Sequence, residues 1–130
     1  MKYTPEKITH LEPNQIFVYG ANSAGIHGAG AAKLALRWGA KMGQYGFSGQ
    51  TYGIPTKDRK IQTLPLDTIQ VHVETFLEFA KQHPEYEFLV TKIGCGLALY
   101  EPKDIAPLFQ SIKNFDSKHI ILPEEFYKCL

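Results

Sequence analysis

The sequence predicts an α/β domain, a three-layer α/β/α sandwich with a mixed, mostly parallel sheet between helices. Three observations carry this. Short apolar runs rich in β-branched and aromatic residues alternate with segments of helical periodicity. Two glycine-rich loops, 20–30 and 94–98, each follow such a run and precede a helical segment. The 130 residues, 44% hydrophobic and 21% charged, suffice for one core in one domain, 1–130, and exclude a disordered or fibrous chain.

The first run, QIFVYG at 15–20, follows the turn-prone Pro13-Asn14 and reads as a buried strand, because such side chains pack well on a pleated surface. GANSAGIHGAG, at 20–30, carries glycines at 20, 25, 28 and 30 and one bulky apolar side chain, Ile26. It cannot build a core, but its backbone can approach a ligand closely. From Ala31, AAKLALRWGAKMG sets Leu34, Trp38 and Met42 at four-residue spacing on one helical face, with Gly43 as the cap. GQYGFSGQ reads as another glycine-rich loop, 51–54 as a short strand closed by Pro55, and TKDRKIQTLP as a polar, exposed connection.

Residues 66–82 place Ile69, Val73, Phe76, Leu77 and Ala80 at spacings of three and four, an amphipathic helix that Pro84 stops. YEFLVTKI, 86–93, reads as a strand. The loop GCGLALYEP then leads into a helix beginning near Pro102 and running through Ile105, Leu108, Phe109 and Ile112. HIIL, 119–122, is a last strand before a tail ending in Cys129-Leu130. There is no internal repeat.

Fourteen Lys+Arg against 13 Asp+Glu leave a formal charge of +1, so no basic excess supports general nucleic-acid binding. No apolar run approaches the roughly 18 residues of a membrane helix. MKYTPEKITH lacks a signal peptide's apolar stretch, and two cysteines make no disulfide framework. A soluble, cytoplasmic protein with no membrane partner is expected.

A glycine loop feeding a helix presents backbone N–H groups to an anion; one fits a phosphate, and two facing loops fit a diphosphate. The phosphate-binding P-loop is excluded, since Gly30 is followed by Ala31-Ala32-Lys33 rather than Gly-Lys-Ser/Thr. Gly20, Gly25 and Gly28 approximate the dinucleotide fingerprint only out of register, and no acidic residue closes a following strand.

GANSAGIHGAGAAKLAL resembles the first ligand loop of the ADP-ribose-binding macrodomain family, and ITHLEPNQIFVYGANS (8–23) follows that family's leading segment. TKIGCGLALYEPKDIAPLF (91–109) resembles its second loop, and YGIPTKDRK the strand and lysine of the branch that removes terminal ADP-ribose from proteins. The resemblance covers about residues 8–109 and implies a macrodomain-like fold. It implies ligand contacts from Gly20, Ala21, Asn22, Gly28, Ala29 and Gly30 in the first loop, with Asn22 at the distal ribose. From the second it implies Thr91, Gly94, Cys95, Gly96, Leu97, Ala98 and Tyr100. The implied partner is an ADP-ribose-type nucleotide or an ADP-ribosylated protein, with no cofactor and no metal. For ADP-ribosyl hydrolysis, Asn22 and Lys57 are the catalytic candidates.

The chain departs from the family at three points. Glu6-Lys7 stand where the family has Gly-Asp, and Lys7, having only donors, cannot accept from an adenine amino group. Tyr19 replaces the first Asn of the strand-ending pair. Ala98 stands where the lysine-dependent branch carries an Asp, leaving Lys57 without an acid–base partner. Whether the protein is an enzyme therefore stays open, and the alternative is a non-catalytic interaction or sequestering protein that keeps the fold without the ligand.

Simpler roles compete at each position. Asn22 suits a turn, where its amide bonds nearby backbone. His27 reads as a solvent-exposed loop residue, and His10, His72, His83 and His119 lack metal-ligand spacing. Cys95 reads as a small side chain in a tight loop rather than a nucleophile. Tyr45, Phe47 and Tyr100 are either stacking partners for an adenine or covers for the core; Trp38 is core, and KDRK (57–60) a solvated stretch.

Overall fold

The computed structural model describes residues 2–28, 30–96 and 98–130. Five strands form one sheet: β1 (Gln15–Asn22), β2 (Gly46–Ser48), β3 (Thr51–Lys57), β4 (Glu87–Val90) and β5 (Ile120–Ile121). Their order is β2-β3-β1-β4-β5, parallel throughout except for the antiparallel β2. The expected α/β domain with a mixed, mostly parallel sheet flanked by helices is what forms.

Strand alternation divides the apolar side chains between two faces. Ile16 and Val18 of β1, Ile54 of β3 and Phe88 and Val90 of β4 pack with Ile69, Val73, Phe76 and Leu77 of α2 (Leu66–Lys81). The same cluster takes Ile105 of α3 (Pro102–Ile105) and Phe126 of α4 (Glu124–Tyr127). Phe17, Tyr19 and Leu89 face the other way, toward Ala35 of α1 (Gly30–Ala35), Ile8 and Leu11.

Several elements end elsewhere than the pattern predicts. The first helix is α only over Gly30–Ala35, tightens to a 3-10 turn over Leu36–Trp38, and is capped by Gly39 at φ 105° rather than by Gly43. Met42 is consequently exposed, off the expected stripe. GQYGFSGQ is not all loop, because β2 pairs with β3 across the Ser48–Thr51 turn. Pro55 does not close β3, which runs on to Lys57. β2 reaches only Gly53, so β3 is an edge at Pro55 and the missing N–H costs nothing there. The last long helix is α only over Pro102–Ile105 and continues as 3-10 structure over Ala106–Asn114, whose second residue is Pro107. The tail contains α4, which the pattern did not predict. No described helix is long and apolar enough to cross a membrane.

Candidate functional site

The parallel strands β3, β1 and β4 end side by side, so the loops leaving their carboxyl ends meet. Between them lies a cleft of about 410 Å³. Its first wall is the end of β1 and the loop after it, with Gly20, Ala21, Asn22, Gly28 and Gly30. The second is the segment after β4, with Thr91, Gly94, Cys95 and Ala98. Lys57 lines it from the end of β3. The two loops touch at Gly20, where an added Cβ would sit 3.3 Å from Thr56 Oγ1 and 3.6 Å from the Gly94 nitrogen. Gly94 itself turns at φ 74°, and a Cβ there would press on Ile105.

The first loop is held by its own side chains. Asn22 Oδ1 accepts from the Ile26 N–H at 3.0 Å, and Asn22 Nδ2 donates to the Ile26 carbonyl at 2.8 Å. The Gly25 N–H closes the turn onto the Asn22 carbonyl at 3.0 Å. Asn22 is thus both a turn residue and a cleft residue. His27 is not solvent-exposed as expected; it is buried at 3% exposure. Its Nδ1 lies 2.7 Å from the Gly25 carbonyl, which can only accept, so Nδ1 carries the proton and Nε2 receives the Tyr19 hydroxyl at 2.9 Å. Burial pushes the Tyr19 phenol up to about 12, keeping it a donor. Behind the loop, Gly25 lies so close to Gly43 and Gln44 that a Cβ would run into their backbone, and the Gly43 N–H donates to the Gly25 carbonyl at 2.8 Å.

The second loop begins where the Thr91 hydroxyl and N–H both bond the Val18 carbonyl, at 2.7 and 3.0 Å, tying it to β1. The N–H groups of Cys95, Leu99 and Tyr100 are used within the loop. Those of Gly94 and, across the cleft, Gly28 donate to no described residue. Burial, with smaller effects from surrounding charges, pushes the Cys95 thiol up to about 11, which leaves it protonated near neutrality and a poor nucleophile.

Gly96 and Tyr100 stand outside the cleft lining. Gly96 is exposed at φ 79°, and the Tyr100 ring packs on the core while its hydroxyl donates to the Leu64 carbonyl at 2.7 Å. Ala29 and Leu97 lie outside the described residues. Tyr45 and Phe47 are not in the lining either; Phe47 covers Phe79, with ring centroids 4.9 Å apart.

Sequence reasoning missed Thr56, Ile61 and Lys92, all of which line the cleft. Lys92 Nζ pairs with Glu125 at 3.0 Å and Glu6 at 3.4 Å, and the Glu125 hydrogen bond above all holds its ammonium above the usual lysine range. Lys57 makes no ion pair among the described residues. The lining therefore holds two lysines and, among the described residues, no carboxylate. Nor do the described residues hold a cluster of His, Cys, Asp or Glu placed to bind a metal.

Such a cleft can hold an anion through backbone N–H groups and the Lys57 ammonium, Lys92 being engaged by Glu6 and Glu125. It offers little for proton transfer. Comparison of the chain with models of protein families, with curated proteins and with solved structures finds no match in any of the three.

Proposed function

We propose that this chain is a macrodomain-like domain that binds ADP-ribose or a related ADP-ribosyl or NAD-derived nucleotide, gripping the diphosphate between its two glycine-rich loops. The observation that carries the reading is the shared cleft: loops far apart in sequence line one hollow of about 410 Å³. The N–H groups of Gly28 and Gly94, which donate to no described residue, and the Lys57 ammonium suit a diphosphate, and no described lining carboxylate opposes it. The hollow is open: Tyr19 packs into the opposite cluster, and Leu99 is 83% exposed. That favours a ligand-holding domain over one that keeps the fold alone.

Binding without turnover is the favoured form of this reading. The Asn22 amide bonds its own loop, Lys57 has no carboxylate partner among the described residues, and the Cys95 thiol stays protonated. Hydrolysis of an ADP-ribosyl bond would rest on water positioned by the loop rather than on an acid–base pair. Calorimetry with ADP-ribose, with AMP and NAD as comparators, tests the binding. Absence of heat and of any thermal shift with all three at millimolar concentration would overturn it. For turnover, release of ADP-ribose from a modified protein by the wild type and not by Asn22→Ala is the required result.

A further inference from the structure

The cleft that Lys57 lines carries two aliphatic side chains that no described residue covers. Ile26 comes from the loop after β1 and is 48% exposed; Ile61 comes from the turn after β3 and is 42% exposed. Both line the cleft. Ile61 also sits at φ 63°, a strained conformation that a β-branched residue rarely adopts. The turn enforces it. Asp58 Oδ1 accepts from the Lys60 and Gln62 N–H groups at 2.8 and 2.9 Å, and the Ile61 N–H donates to the Asp58 carbonyl at 3.0 Å. A glycine or asparagine would fit this turn with less strain, so the isoleucine does not serve the turn.

Ile26 is also the residue that Asn22 grips through both its N–H and its carbonyl, so it stands beside Asn22. On the reading above, which this inference rests on, Asn22 marks the distal ribose. We propose that Ile26 and Ile61 form an apolar subsite for an uncharged ring carried on that ribose. A cationic ring would meet Lys57 with no described lining carboxylate to offset it. The subsite therefore favours a neutral substituent over a positive one, and a substituted ribose over a bare one.

The test compares ADP, ADP-ribose, NADH and NAD as probes on the wild-type chain, Ile61→Val and Ile61→Asn. Calorimetry gives the affinities, and the fluorescence of the dihydronicotinamide reports whether its ring enters an apolar environment. The neutral ring of NADH is expected to bind the wild type about fivefold more tightly than ADP-ribose, equivalent to about 1 kcal/mol, the scale of covering part of an isoleucine. NAD, with its pyridinium cation, binds more weakly than NADH. Ile61→Val keeps the preference. Ile61→Asn loses it and melts no lower, because asparagine tolerates the turn. A wild type that binds ADP-ribose but shows no NADH preference, or a preference that survives Ile61→Asn, overturns the subsite alone. A wild type that binds neither ADP nor ADP-ribose overturns the nucleotide reading and the subsite with it.

Discussion

Replacing Asn22 by alanine separates a residue that shapes the loop from one that only touches a ligand. The side chain makes two hydrogen bonds, both to the backbone of Ile26. Each contributes about 0.5–1.5 kcal/mol net, and losing both leaves an N–H and a carbonyl to find water. Both bonds are part-buried rather than fully enclosed, so the lower part of the range applies, about 1–2 kcal/mol in all. For a chain of this size that lowers the melting temperature by roughly 3–10 °C. Asn22→Asp behaves similarly, since a carboxylate can accept from the Ile26 N–H but has nothing to give its carbonyl. The assay is a thermal melt of both variants, run beside ADP-ribose calorimetry. A melting temperature within about 1 °C of wild type for Asn22→Ala would refute the reasoning, because the paired bonds would then contribute nothing to the folded loop.

Two further outcomes follow from the charges and thiols. Thiol-reactive reagents at pH 8 label the exposed Cys129 well before Cys95, and the Cys95 rate keeps climbing with pH until about 11; cysteine mapping by mass spectrometry reads the order. Burial pushes the Glu87 carboxyl up, but hydrogen bonds from Lys2 at 2.9 and 3.0 Å and from Gln15 at 2.9 Å outweigh it and hold it below 4.5. A depressed carboxylate stabilises the fold above its unfolded value and loses that contribution as pH falls through its folded value. Denaturant melts from pH 6 to 3 therefore show stability falling below about pH 4.5 in wild type, and less steeply in Glu87→Gln.

What could be read in the sequence was whatever a local pattern determines. The run at 15–20 and the spacing of Ile69, Val73, Phe76 and Leu77 define β1 and α2, because burial on one face imposes a period. Endings were less legible. The helix expected to run to Gly43 stops at Gly39, where an added Cβ would sit 3.0 Å from the Gly49 backbone, a neighbour that no local pattern reveals. β2 is three residues long, begins with a glycine and owes its existence to pairing with β3, so no periodicity announces it.

The site divides along the same line. Glycine-rich loops after strands are visible in one dimension, and so Gly20, Asn22 and Gly94 were found. Lys92 and Ile61 were not, since their place in the cleft comes from which strands end beside β1. His27 misled for a related reason. A histidine among glycines looks exposed until the Tyr19 hydroxyl arrives from the strand below.

The abutment of Gly25 on the backbone of residues 43 and 44 ties the glycine-rich loop after β1 to a stretch outside the cleft lining. That stretch serves as a buttress, and its yielding would be felt in the cleft wall. Insertions or bulky replacements at 43 or 44 thus belong with lesions of that loop, although they lie on the far side of it.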